Sequence, residues 1–211
     1  MKVLFYLGGK NMLVERTKIK ETNHFKVGDI IRFSLNDGEE VKAMAVKKCN
    51  TVNKRMLFVT VDCINKRKRM FDKDLGEEMS YHNSDLRKFL NNELFLKFPK
   101  EIQDLMLPVY ALDKIRIPSE IEIFGENKYG REEDELGGKH WEIMEEERNQ
   151  ISLESYWIMN RIKEKDTKYF NCVCSPDISS ALCDYAYYSS SFGVRPVFRL
   201  LNEKIGNETK N

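Results

Sequence analysis

The pattern of apolar and polar positions is weak at the start of the chain and sharpens at Val27. Over "GDIIRFSL" the residues Ile31, Phe33 and Leu35 alternate with their neighbours, which is the period of a half-buried strand. "NDGE" follows, and Asp37-Gly38 is a hairpin signal because glycine tolerates positive φ. "EVKAMAVKKC" and "RMLFVTVDCI" continue as strands, and "LFVTVDCI" is apolar almost throughout, as for a strand covered on both faces. Residues 28–64 therefore predict a three-stranded antiparallel meander. The period then changes. "NSDLRKFLNNELFLKF" puts Leu86, Phe89, Leu90 and Leu94 on one helical stripe, with Ser84 as N-cap and Asp85 in the first turn. A short second helix opens at Pro99, where a missing N–H costs nothing. It carries Ile102, Leu105 and Met106 and stops at Pro108; "LPVYAL" then reads as extended.

The middle of the chain is irregular. It predicts a short strand at Ile121–Phe124, a loop rich in acid and glycine (Gly125, Gly130, Gly137, Gly138) and a helical turn around Trp141–Arg148. The last third returns to strands in "ESYWIMN", "KYFNCVC", "ALCDYAYY" and "GVRPVFRL". In the last of these, Val194, Pro196, Phe198 and Leu200 take one side and Arg195 and Arg199 the other. A proline there demands an edge position or a bulge. Arg195 reads as a clamp on the preceding loop, through an ion pair or a carbonyl. Strands, two helices, a long irregular segment and strands again make an α+β fold with helices beside antiparallel sheet.

The 211 residues suit one domain. We place it at 27–201, including the β-meander (27–72), after an N-terminal extension (1–26) and before a flexible tail (202–211). Met12 reads as an alternative start. Basic and acidic residues number 35 and 34, and a net charge of +1 gives no electrostatic case for nucleic acid. The basic run Lys66–Arg69 lacks interleaved aromatics and reads as a solvated turn. "MKVLFYLGG" is too short for a signal-peptide core, and no apolar run approaches the ~18 residues of a membrane span. The expectation is a reduced protein, cytoplasmic or virion-associated, with its five cysteines mostly filling core.

Candidate chemistry is sparse. His24, His82 and His140 lie far apart, so no metal site is expected from them. Cys172 and Cys174 form C-x-C with Cys183 nearby; structural thiols are the plain reading, with soft-metal binding and thiol chemistry left open. The acidic runs 132–135 and 145–147 read as solvated faces. Phosphate-loop, dinucleotide, nucleophile-elbow and zinc-protease motifs are absent, so no catalytic residue and no cofactor is assigned. The most suggestive stretch is rich in tyrosine and serine. Tyrosine offers large area with a polar tip, and serine offers adaptable hydrogen bonds, the pairing used by paratopes. Ser179, Ser180, Asp184, Tyr185, Tyr187, Tyr188 and Ser190 are therefore the candidate ligand-binding residues. The plain alternative is a hairpin whose tyrosines are merely half-buried.

Several segments, in order, carry a resemblance: "YHNSDLRKFLNNELFLKFPKEI", "EIFGENKYG", "HWEIMEEERNQI", "SYWIMN" and "SFGVRPVFRL". Over roughly 26–201 the chain resembles a bacterial and phage domain family of unknown function. The resemblance implies a variant of the C-type-lectin fold, in the branch shared with formylglycine-generating enzymes and retroelement-diversified variable proteins. The N-terminal meander would then be a flanking sheet packed on that domain. By the same resemblance Ser84, Leu86, Arg87, Leu90 and Asn91, and Trp157, Gly193, Arg195 and Pro196, are scaffold, and residues 179–192 are where a protein or glycan partner would sit. Relatives often read W-L-R-S where this chain has Trp157-Ile158-Met159-Asn160, so an expected arginine is missing. No E-P-N calcium triplet occurs, and Cys172, Cys174 and Cys183 do not reproduce the oxidase cysteine pair. The expectation is a non-enzymatic, phage- or prophage-type binding domain. The alternatives are a formylglycine-generating-type thiol oxidase and a structural virion or assembly protein.

Overall fold

The strand-forming segments sort into two sheets, and one bent ribbon belongs to both. The computed structural model describes residues 2–7, 10–15, 24–49, 55–131, 138–163, 168–174 and 182–202. β1 (Lys2–Leu7), β2 (Lys10–Glu15), β3 (Ile30–Ser34), β4 (Glu40–Cys49) and β5 (Arg55–Thr60) run consecutively. Each pairs antiparallel with the next. The expected meander is thus present, and the N-terminal extension adds two strands to it. The meander is not a separate flanking sheet, because the closing strand β13 (Val197–Leu201) lies directly beside β5.

β6 (Ile64–Lys68) leaves this sheet for a second one, of order β11-β10-β9-β12-β6. Its members are β9 (Tyr156–Arg161), β10 (Tyr169–Cys174), β11 (Leu182–Tyr187) and β12 (Phe192–Val194). The basic run expected as a turn is therefore mostly strand, with Asn65, Lys66 and Arg67 facing solvent. "GVRPVFRL" is two strands rather than one. Pro196 cannot donate to a ladder, and at Arg195-Pro196 the chain passes from the second sheet into the first. β5 and β6 turn the same corner beside it, since β5 pairs with β13 and β6 with β12.

Helices close one side. Asp85–Phe89 (α1) runs through a π-helical turn at Leu90–Leu94 into Phe95–Lys97 (α2). Ser84 caps it as expected, its Oγ accepting from the Arg87 N–H at 3.0 Å. Asn91 holds the widened turn: its amide donates to the Arg87 and Ile115 carbonyls, and its oxygen accepts from the Lys114 and Ile115 N–H groups. α3 (Lys100–Leu105) follows Pro99, and Met106 already belongs to β7 (Met106–Leu107). β7 and β8 (Ile115–Arg116) share the outer edge of β13. The expected strand at Ile121–Phe124 is instead helix α4 (Glu120–Phe124). The Glu122 carboxylate reaches back to the Ser119 N–H at 3.1 Å, and Gly125 ends the helix at φ 79°. That S-x-x-E then Gly signal outweighs two β-branched residues. A short 3₁₀ turn (Glu142–Glu145) and α5 (Glu147–Gln150) match the expected helical turn.

The main core lies between the two sheets and α1–α3, around Phe33, Phe58, Phe98, Phe198, Trp157 and Phe170. The opposite side of β5 faces a smaller cluster with Val46, Ile123, Trp141 and Met144, so β5 is covered on both faces as its sequence implied. Phe25 and Asn202 tie distant parts of the chain together: Phe25 N–H donates to the Asn202 side chain at 2.6 Å, and the Asn202 amide donates to the Phe25 carbonyl at 3.1 Å. The expected tail lies, from 203 onward, outside the described residues. Among the described residues no helix is long and apolar enough to cross a membrane. The architecture is α+β, with mostly antiparallel sheets and few helices.

Arg195 pins the corner. It is 1% exposed. Its Nε donates to the Thr60 carbonyl at 2.7 Å, Nη1 to the Gln150 carbonyl at 3.0 Å and the Tyr156 hydroxyl at 3.1 Å, and Nη2 to the Asn149 carbonyl at 2.8 Å. The expected carbonyl clamp exists, but it holds the end of α5 and of β5 rather than the preceding loop. Beside it, a Cβ on Gly193 would stand 2.5 Å from Cys63 Sγ and 3.0 Å from the Ser155 carbonyl, so only glycine fits. Arg195→Met removes the donor to the Thr60, Asn149 and Gln150 carbonyls, of which Gln150 keeps the Tyr156 hydroxyl at 2.6 Å, and should cost about 3 kcal/mol in urea unfolding. Arg195→Lys should recover less than half of that, because an ammonium cannot span the planar fork. A loss under about 1 kcal/mol, the scale of a single ordinary hydrogen bond, would contradict the corner's dependence on this side chain.

Candidate binding surface

Alternation along β9 and β10 decides what each face of the second sheet carries. Trp157, Met159, Phe170 and Cys172 point into the main core. Tyr156, Ile158 and Val173 point the other way and pack with Phe124 of α4. Asn160, Tyr169 and Asn171 share this outer side by the period of 2. β11 pairs with β10 without a register shift, Tyr169 opposite Tyr187 and Asn171 opposite Tyr185.

The tyrosines form a ladder of rings. Tyr169 packs edge-to-face on Tyr185 at 5.9 Å and on Tyr187 at 5.3 Å. Tyr187 lies 4.6 Å from Tyr188, and Tyr188 packs on Phe71 at 6.4 Å. The series thus begins at an exposed ring, Tyr185 at 42%, and ends in the core, Tyr188 at 9%. Edge-to-face aromatic contacts of this kind add stability beyond their buried area and fix ring orientation. Desolvation pushes the Tyr187 hydroxyl above its ordinary value. The Lys168 ammonium donates to Asp74 at 2.7 Å just below, while the Tyr188 N–H donates to the Lys168 carbonyl. The Lys168 contact holds the Asp74 carboxyl below its usual range.

Beneath this face lies a buried polar nest. The Glu120 carboxylate, 1% exposed, accepts from the N–H groups of Tyr129 (3.0 Å) and Gly130 (2.5 Å) and from the Asn171 amide (2.9 Å). Asn160 accepts from the Glu120 N–H at 2.9 Å. A Cβ at Gly130 would stand 2.6 Å from both Glu120 Oε2 and Asn160 Cβ, so the loop approaches this closely only with glycine. Next to it, Arg116 and Glu122 form a bidentate buried pair at 2.7 and 2.5 Å. These groups meet one another inside the protein and act as scaffold.

The sequence candidates therefore separate. Tyr185 and Asp184 are exposed, and Tyr187 and Ser190 are half-buried on the same strand-and-turn unit. Tyr188, expected at the surface, is a core residue, because the chain turns inward there to pair with Met70 and Phe71. Ser179 and Ser180 lie outside the described residues. Tyr169 completes the ladder and was missed, as were Glu120 and Asn171. Only strand register brings Tyr169 beside Tyr185, and no local pattern encodes register across a loop.

The other candidates stay apart. His24 contacts the Asn202 carbonyl, His82 the Tyr110 hydroxyl, and His140 lies against Gly125. Among the described residues, no group of three or more His, Cys, Asp or Glu is placed to hold a metal ion. Cys172 and Cys174 sulfurs are 4.0 Å apart, and burial pushes the Cys172 thiol well above its ordinary range. Burial likewise pushes Cys63 up to about 11, although Ser152 donates to its sulfur at 3.1 Å. Thiol chemistry requires the opposite shift.

A family model described as a domain of unknown function (DUF6273) matches residues 53–134, from the β4–β5 connection to the loop beyond α4. That stretch resembles the family and contains the helix caps and the Arg116, Glu120 and Glu122 scaffold. The tyrosine ladder lies beyond it. Comparisons with curated proteins and with solved structures found no match.

The raised Cys63 value has a consequence for stability. The folded state holds the proton that the unfolded chain releases from its ordinary value near 9, so this contribution is intact below pH 9 and is lost as pH rises toward about 11. Urea unfolding of the wild type should therefore fall relative to Cys63→Ala over that window, by up to about 2 kcal/mol. Parallel pH curves for the two proteins would show that the thiol is not held protonated.

Proposed function

We propose that the chain is a non-enzymatic ligand-binding domain of prophage type with a C-type-lectin-like architecture. It recognises a protein or glycan through the outer tyrosine face of the second sheet. The observation that carries this reading is the ring ladder from exposed Tyr185 through Tyr169 and Tyr187 to buried Tyr188. A recognition surface gains when its aromatic groups are ordered before the ligand arrives, since ordering them later subtracts from affinity. Here the ordering is inherited from the core.

Two further features support the architecture. Phe25 and Asn202 meet, and a five-stranded sheet accompanies the larger one that carries the closing strand. The thiols favour a binding role over oxidation, because burial keeps Cys63 and Cys172 protonated. Fold carries no ligand by itself, so the tyrosines must be tested directly.

The test uses the intact chain against glycan and displayed-peptide arrays. Tyr185→Ala with Tyr187→Ala should weaken any captured ligand by about tenfold or more, with the urea midpoint little changed. Tyr188→Ala should instead destabilise the fold by about 3 kcal/mol as a core aromatic truncation. Binding that survives the double change at full strength would refute the tyrosine face.

A further inference from the structure

Between the end of β6 and the helical run that starts at Asp85 lies an open cleft of about 250 Å³, and its two walls carry opposite charge. The strand wall is cationic. Lys68 shares the inward side of β6 with buried Ile64 by the period of 2, and Arg69 follows it. Lys68 is half-buried, and its Nζ stands 4.0 Å from the centroid of the Phe89 ring, a contact that favours the ammonium there. The helix wall is acidic. Its Lys88 is neutralised by Asp85 at 2.8 Å, and the second Asp85 oxygen accepts from the Asp72 N–H at 3.1 Å. That leaves Glu93, one turn beyond Phe89, and the Asp72 carboxylate next to Asp85. Among the described residues, neither Lys68 nor Arg69 meets a carboxylate, and neither Glu93 nor Asp72 meets a cation. Opposite charges thus line one cavity without reaching each other.

We infer that this cleft binds a small zwitterion, a free α-amino acid, whose carboxylate meets Lys68 and Arg69 and whose ammonium meets Glu93 and Asp72. The unpaired charges of the two walls balance, so a simple anion or cation gains from one wall and is repelled by the other. A molecule carrying both charges gains from both. The space is smaller than a drug-sized pocket and suits a ligand of amino-acid size. Its apolar floor, buried Leu86 and Phe89, takes the aliphatic part. Contact with the Lys97 ammonium, itself paired with Asp37, lowers Lys66 from its ordinary value, and Lys68 adds to this. The surplus of positive charge along β6 directs the carboxylate to the strand wall. The site is separate from the tyrosine face. Its lining residues all lie in the segment that resembles the family, and the ladder does not.

The experiment titrates the intact chain calorimetrically with the proteinogenic amino acids. Each one that binds is compared with two single-charge analogues, the acid lacking the amine and the amine lacking the carboxylate, and with inorganic phosphate. At least one amino acid should bind with a Kd of about 1 mM or tighter, and each analogue should be weaker by about tenfold or more. Lys68→Met keeps an apolar stem on Phe89 and removes the charge, while Glu93→Gln keeps the shape of the acid. Each should weaken binding about tenfold, with the urea midpoint little changed. Equal binding of an analogue or of phosphate overturns the zwitterion site. So does amino-acid binding that either substitution leaves at full strength, or no amino acid binding by about 1 mM. None of these outcomes touches the tyrosine face, which stands or falls on its own variants.

Discussion

A single buried guanidinium holds the two sheets at their common corner. Among the described residues Arg195 meets no carboxylate, and such a burial is tolerable only when its donors are met by well-placed acceptors. It meets the last carbonyl of β5, the last two of α5 and the hydroxyl of Tyr156. Carbonyls at element ends lack partners within their own helix or strand. One cation therefore satisfies three of them at once and joins segments distant in sequence. Pro196 beside it ends one ladder, and its carbonyl accepts from the Thr60 N–H at 3.0 Å as the next ladder begins.

The corner decides which strands the second sheet receives, because the chain passes there from β12 into β13. β12 is fixed by Gly193, whose missing Cβ admits Cys63 and the Ser155 carbonyl. β9 and β10 then present one face to the shared core and one outward. The outward face divides into a closed polar nest around Glu120 and an open aromatic ladder ending at Tyr185. The nest offers a ligand little, since its carboxylate is buried and already met by three donors. The ladder has the reverse character: anchored in the core at Tyr188 and increasingly exposed along β10 and β11. Rigidity at the base and access at the tip are what a recognition surface needs.

Much of this was legible in the chain. The alternation of Ile31, Phe33 and Leu35, the apolar run of β5, the stripe of Leu86, Phe89, Leu90 and Leu94 and the cap at Ser84 all depend on neighbours within a few residues. So does the capping signal of Ser119, Glu122 and Gly125, which β-branched Ile121 and Ile123 masked. The tyrosine-rich stretch was visible too, but not which rings reach solvent. Tyr188 differs from Tyr187 only in that the chain has already turned inward, to be met by Phe71 from more than a hundred residues away.

The sequence alone determined part of the local alphabet: the meander strands, the helix capped at Ser84, that the chain is α+β, and that an aromatic, polar segment precedes the closing strand. Periodicity and capping are short-range, so they survive without knowledge of the fold. Only the tertiary structure decided that "GVRPVFRL" is shared between two sheets, that Arg195 clamps three distant carbonyls, and that Tyr169 stands beside Tyr185. Those facts depend on register and on burial. Register is set by which strands meet, and burial by what covers them, and neither is written in any single stretch of residues.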